Sequence, residues 1–140
     1  MYVPNIQLTE SELPMKIIIA NVSDPPIYQQ IKDQIKDAIL YGELKESEQL
    51  PSIRVLANDL RVSVLTTKRV YDELESEGFI TSRAGKGSFV KTENIELLRE
   101  TKRHTVELKL SEAWNAARTL GISKEELYSM MDLLFEEDGE

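Results

Sequence analysis

The stretch "LPSIRVLANDLRVSVLTTKRVYDELESEGFITSRAGKGSFV", Leu50 to Val90, decides the fold. A short helix is expected after Pro51, with Ser52 as its N-cap. Ile53, Leu56, Ala57 and Leu60 recur at i, i+3, i+4 and i+7 and form its buried face. "RVS", Arg61 to Ser63, leaves room only for a tight connection. Ser63 then caps a further helix to about Glu77, with Thr67, Val70, Tyr71 and Leu74 inside and Gly78 as the stop. Two short strands follow, Phe79 to Arg83 and Ser88 to Lys91, joined as a hairpin by "AGKG".

The hairpin tip raises the question of phosphate. A nucleotide-binding loop needs G-x-x-x-x-G-K-[ST] between a strand and a helix, whose N-terminal amides cradle the anion. Here Gly87 follows Lys86, no glycine lies five positions before Gly85, and a strand comes next. The nucleotide reading fails on each count. An ordinary turn explains Gly85 and Gly87 through positive φ, but leaves Arg83 and Lys86 incidental. The order of elements supplies a third reading. A helix, a helix–turn–helix and a hairpin make a winged helix-turn-helix, in which the third helix enters the DNA major groove and the hairpin reaches a neighbouring backbone or minor groove. The tip glycines then permit close approach, and Arg83 and Lys86 neutralise phosphate.

Working outward, a helix is expected from about Ile27 to Tyr41, because Ile27, Ile31, Ile35 and Ile39 recur every four residues with Ala38 beside them; Gly42 ends it. "GELKESEQLPS" reads as a loop. Upstream, "DPP" (Asp24 to Pro26) is a breaker, and "IIIA" is expected as a short strand or an arm that packs on a neighbour. Residues 1–14 lack periodicity and are read as a leader, tag remnant or extension, with Met15 as an alternative start. Downstream, a helix is expected from about Asn94 to Leu120, with Val106, Leu110, Ala113, Trp114, Ala117 and Leu120 on its apolar side. Gly121 breaks it. Ser123 to Glu126 is a capping box opening a last helix, with Leu127, Met130, Met131 and Leu134 on one face.

Composition bounds these readings. The chain has 140 residues, 41% of them hydrophobic, which allows one or two small domains with a compact core. It has no cysteine, which removes disulfides and thiolate metal sites and suits a reducing cytoplasm. No apolar run approaches the roughly 18–20 residues that span a bilayer. The net charge of −8 argues, taken alone, against a nucleic-acid partner. Its location changes that argument. Residues 27–91 carry ten Lys/Arg against ten Asp/Glu, while residues 92–140 carry six against twelve. The middle of the chain is therefore neutral and free to present a local basic surface.

The same stretch resembles the DNA-binding domain of the GntR family of bacterial transcription factors. The family pattern Leu-Pro-Ser-x-Arg, a Leu-Ala pair, Val-Ser before the recognition helix, Leu-Glu-x-Glu-Gly-x-Ile and a wing Gly-x-Gly-[Ser/Thr]-Phe-Val is present in full. "VSVLTTKR", the preceding "PIYQQIKDQI" and the short helical tail resemble the YtrA subfamily. The resemblance implies that Arg54 reaches DNA from the second helix, that Ser63, Thr66 and Lys68 make contacts from the recognition helix, and that Gly85 and Lys86 form the wing tip. It also implies a dimer formed by the tail, no separate effector-binding domain, and control of a transporter operon. One departure stands out: Val64 replaces an arginine found in many members, and Leu65 a small polar residue, so a guanine-reading fork is missing. An apolar side chain there can instead meet the thymine methyl, unless both residues pack against the second helix.

Plainer readings compete at each position. Arg54 can pair with Asp59 or another acid; Lys68 and Arg69, about 100° apart on the helix, can pair with Asp72 or Glu73; Tyr71 sits at core spacing. His104, the single histidine, cannot build a zinc site alone and is placed on a helix surface. No nucleophile–base–acid constellation emerges, so no enzyme, metal or cofactor is expected.

The fold class expected is mainly α with a small β-hairpin: a winged helix-turn-helix over 15–91 and a two-helix dimerisation segment over 92–140. The DNA-facing residues are Arg54, Ser63, Val64, Leu65, Thr66, Lys68, Arg69, Arg83, Gly85, Lys86 and Gly87. The dimer-facing residues are Leu110, Ala113, Trp114, Ala117, Leu127, Met130, Met131 and Leu134, because two helices alone have too little interior to bury both apolar faces. The function expected is a cytoplasmic repressor binding double-stranded operator DNA as a homodimer. The alternative is a protein-binding winged-helix module without specific DNA recognition, and a nucleotide-binding enzyme is the more distant rival.

Overall fold

The computed structural model describes residues 13–20 and 25–139. Five helices and one hairpin make up these residues: α1 (Ile27–Tyr41), α2 (Ile53–Leu60), α3 (Val64–Ser76), β1 (Ile80–Arg83), β2 (Gly87–Val90), α4 (Ile95–Leu120) and α5 (Lys124–Glu137). The chain divides into two compact units, one ending at Leu98 and one beginning at Arg99. The expected leader, residues 1–14, lies almost wholly outside the described residues. Of it only Leu13 and Pro14 are seen, and Leu13 packs against the first core.

In the first unit the isoleucine stripe of α1 does what its spacing demands. Ile31, Ile35, Ala38 and Ile39 are buried against α3, which contributes Thr67, Val70, Tyr71 and Leu74. Leu56 and Ala57 of α2 complete the three-helix packing, and Phe79, Ile80, Val90 and Leu98 close it from the hairpin side. Lys32 is buried as well, which the apolar pattern does not signal. Its ammonium lies 2.9 Å from Glu73 and 2.7 Å from Glu77, and Lys36 lies 2.6 Å from the other oxygen of Glu77. These ion pairs stitch α1 to α3. The hydrogen bond from Lys32 is the largest influence on Glu73 and holds its carboxyl below the usual range. Burial pushes Glu77 up, but the bonds from Lys32 and Lys36 outweigh it and leave that carboxyl low too. The Tyr71 phenol is raised by burial and donates to the Pro51 carbonyl at 2.6 Å, tying α3 to the start of α2.

Two segments refine the expectation. "IIIA" is not a strand; of the two expected forms it takes the arm, and the neighbour it packs on is α1. Residues 16–20 run extended along α1, with Met15, Ile17 and Ile19 turned inward and Ile18 outward. The Gln34 side chain accepts from Ile18 N–H and donates to Ile18 C=O, and Gln30 does the same for Ala20. The loop before α2 also carries more order than its composition announces. Ser47 N–H donates to Val90 C=O, Val90 N–H to Glu48 C=O, and Leu50 N–H to Ser88 C=O, each at 2.9 Å. This lays the loop along the free edge of β2 and supports the antiparallel β1–β2 pair, whose register sets Ile80 opposite Val90 and Arg83 opposite Gly87. Asn94, just before α4, donates to the Glu77 carbonyl at the end of α3.

In the second unit, Ser123 and Glu126 form the expected reciprocal capping box at the head of α5. Of the residues from Arg99 to Gly139, Ala117 alone is buried, and α5 buries none of its own. No helix among the described residues is long and apolar enough to cross a membrane.

Candidate nucleic-acid interface

The helix–turn–helix is built from two N-caps and one left-handed residue. Ser52 Oγ accepts from Val55 N–H at the head of α2, and Ser63 Oγ accepts from Thr66 N–H at the head of α3. Between them Arg61 ends α2 with φ 58°, which turns the chain sharply enough for Val62 N–H to reach the Ala57 carbonyl. Neither helix has an acidic residue in its first turn. The partial positive charge of each N-terminus is therefore left uncancelled, as an approaching phosphate requires.

The predicted contact residues fall into three groups. At the head of α3, the Ser63 hydroxyl is engaged by the cap and by the Thr66 hydroxyl at 2.8 Å, so these two residues shape the helix start as well as facing outward. Val64 and Leu65 follow, and Leu65 leaves 77% of its surface exposed. The alternative in which both pack against the second helix does not describe Leu65, while Val64 lines a groove beside α2. On the next turn both cations are paired. Lys68 reaches Asp72 at 2.7 Å, while Arg69 bonds Glu73 at 2.9 Å and lies over the Tyr28 ring, 3.5 Å from its centroid. Arg69 is thereby drawn to α1, whereas Lys68 is held only by an exposed partner.

The wing forms the third group. Lys86 N–H donates to Arg83 C=O, closing a four-residue turn in which Gly85 takes the third place with φ 72°, where a type II turn demands positive φ. Gly87 has φ 113°, and a Cβ there would meet Gln49 Nε2 at 2.7 Å. Gln49 spends that nitrogen on the Lys86 carbonyl, also at 2.7 Å, and so tethers the tip. The Arg83 guanidinium lies over the Phe89 ring, 4.3 Å from its centroid, and the residue is exposed. Lys86 is exposed and has no partner among the described residues.

Charge pairing resolves what net charge could not. Of the ten basic residues in 27–91, Lys32, Lys36, Lys68, Arg69 and Lys91 hold a carboxylate. Lys45, Arg54, Arg61, Arg83 and Lys86 hold none among the described residues, and Lys45 donates to the Gly42 carbonyl instead. The four left over all lie on the helix–turn–helix or the wing. Arg54 thus has no ion pair with Asp59. Arg61 and Gln49 are the residues that the sequence reading missed. The signal for Arg61 was a charged side chain at a helix stop, where glycine is usual; for Gln49 no local signal exists.

In the second unit, His104 is exposed and sits 3.8 Å from Glu107. Among the dimer-facing residues named from sequence, Leu110, Ala113, Trp114, Met130, Met131 and Leu134 are exposed, Leu127 is half-buried and Ala117 is buried.

Comparison with known proteins agrees with this architecture. Residues 27–90 match the model of "Bacterial regulatory proteins, gntR family". The chain is 33% identical over 106 residues to the HTH-type transcriptional repressor YtrA of Bacillus subtilis, covering 76% of this chain and 82% of that protein. It is similar to the structure of a transcriptional regulator from Oenococcus oeni, with a TM-score of 0.65 and 25% identity, over 84% of this chain and 97% of the other. YtrA from Sulfolobus acidocaldarius, described as a GntR-family transcription factor, gives a TM-score of 0.53 and 41% identity over 65% of this chain and 97% of its own.

Proposed function

Because the chain belongs to the gntR family of bacterial regulatory proteins, in the YtrA subfamily, we propose that it represses transcription by binding a two-fold DNA operator as a homodimer. The observation that carries the DNA reading is the distribution of free cations. Arg54, Arg61, Arg83 and Lys86 lack carboxylate partners among the described residues and lie on α2, the turn that ends it and the wing, before and after the recognition helix α3 in the chain. In this reading α3 enters the major groove with Val64, Leu65, Thr66 and Lys68 toward the bases, and Arg83 and Lys86 grip backbone phosphate from the wing. Arg69 supports the posture of α3 through Glu73 and Tyr28.

The homodimer is supported by the uncovered apolar faces of α4 and α5. Leu110, Trp114, Met130, Met131 and Leu134 lie open to water, which a second copy would remedy. A two-fold protein then reads two half-sites one helical turn, or a multiple of it, apart. Selection of bound duplexes from a random pool tests both parts. Enriched inverted repeats are expected. A single unrepeated motif would break the two-fold reading, and no enrichment at all would favour the protein-binding module.

A further inference from the structure

We propose that Arg61 is a second phosphate-gripping residue, acting with Arg54 across the groove between α2 and α3 on the sugar–phosphate backbone of duplex DNA. The proposal rests on the DNA-binding reading above and deepens it. Arg61 is held at φ 58°, in the left-handed region where a Cβ crowds the following carbonyl and glycine is the ordinary occupant. What the fold asks of this position is a backbone task. The Arg61 N–H donates to the carbonyls at the end of α2, and the chain reverses. Glycine would do the same without strain, so the turn does not account for the arginine.

Neither packing nor pairing accounts for it. The side chain is exposed, and among the described residues it has no ion pair and no hydrogen bond of its own. What surrounds it is an open groove shared with Arg54, Asn58 and Val64, among others, and no acidic side chain lines that groove. Arg54 is likewise without a partner among the described residues. Two guanidinium groups on one groove repel each other until an anion lies between them, and each presents a planar fork that fits phosphate oxygens in bidentate fashion. Val64 puts the positive end of α3, which has no acidic residue in its first turn, beside the same groove. A phosphate of the strand that α3 follows fits these donors, and the contact carries no sequence information.

The test uses the full-length chain, a labelled duplex of random sequence, and binding measured between roughly 50 and 200 mM salt. Wild type, Arg61→Gly, Arg61→Lys and Lys86→Ala are compared, with urea unfolding of each. Arg61→Gly relieves the left-handed strain, so its unfolding midpoint should rise. Its affinity should nonetheless fall several-fold, and the slope of log K against log salt should drop by about 0.9, the value of one lost phosphate contact. Arg61→Lys keeps the charge and should keep the slope. If Lys86→Ala flattens the slope and Arg61→Gly does not, the DNA reading stands and the role of Arg61 falls. If Arg61→Gly loses binding and stability together, Arg61 shapes the turn rather than gripping phosphate, and the proposal falls. If wild type shows no salt-dependent binding, the DNA reading and this site fall together.

Discussion

At the head of α3, Leu65 gives 77% of its surface to water, and Val64 45%. A DNA-binding regulator has reason to leave them there, because thymine alone offers a methyl group at the floor of the major groove. At least one half-site position should therefore be read as thymine by Leu65 or Val64. Exchanging that thymine for uracil, or Leu65 for alanine, should reduce discrimination by at least roughly 0.5 kcal/mol, against about 1–3 kcal/mol for a mismatched base pair. Competition binding with the selected operator measures it, and no change from either exchange removes the apolar readout. The wing behaves differently. Lys86 sits at a tip whose position Gln49 fixes through the backbone, so Lys86→Ala should weaken binding to all sequences alike and lower the salt slope by about one unit. An altered sequence preference at constant slope would instead make it a base reader. Most of these residues were legible because their places follow from motif spacing. Arg61 and Gln49 were not, since one depends on a backbone angle and the other on a contact across 37 residues.

At the scale of the element, α1 and α3 show where pattern reading succeeds and stops. Isoleucine at every fourth position fixed the buried side of α1, and the terminal glycine and Ser63 fixed the ends of α1 and the start of α3. Lys32 lies between two buried isoleucine turns and breaks the pattern, yet it is buried because Glu73 and Glu77 meet it from α3. No periodicity along one helix reports a partner on another. The order of the loop before α2 was missed for the same reason, because its bonds go to a strand about forty residues later. The ion-pair cluster has a pH signature. The carboxyls of Glu73 and Glu77 are depressed in the fold, so their contribution is present above the usual carboxylate value of 4.5 and is lost as pH falls through the folded values below it. Lys32→Met should cost about 1–3 kcal/mol at neutral pH, since both carboxylates are a third exposed and water partly replaces the lost partner. It should also flatten the acid limb of stability below about pH 4.5. Urea unfolding at pH 3.5, 5 and 7 measures both effects, and an unchanged acid limb would place the linkage elsewhere.

At the scale of the whole molecule, the two units pose opposite problems. The first has a closed core, with nine side chains almost fully withdrawn from water. The second exposes Leu110, Trp114, Leu120, Met130, Met131, Leu133, Leu134 and Phe135, far more apolar surface than a helix pair leaves open without cause. If a second copy covers it, placing a charge there should separate the copies and spare the first unit. Met131→Glu or Trp114→Glu should sediment as a monomer with unchanged helix–turn–helix unfolding, and should lose operator affinity by the avidity of two half-sites, on the order of 100-fold or more. A variant that remains dimeric would move the interface off these faces. The sequence showed that this surface existed, through the spacing of Leu110, Trp114, Met131 and Leu134. It did not show what covers it, because amphipathicity reports a buried face and not its neighbour.

The extended segment beside α1 solves a problem of parity. "III" offers three identical side chains, and a slip of one residue would put Ile18 where Ile17 or Ile19 now lies while drawing Lys16 into the place of Met15 or Ile17. Gln30 and Gln34 hold the register against that slip. They stand one helical turn apart, about 6.0 Å along the axis, and clasp Ala20 and Ile18, two residues or about 6.6 Å apart in extended chain. The two rulers agree over a single division. By the next one they differ by more than 1 Å, and the position that would continue the series on α1 is Ala38, which has no amide to offer. Side chains of a helix thus act here as a vernier for an extended arm: they read its register at one mark, and the match ends after that mark.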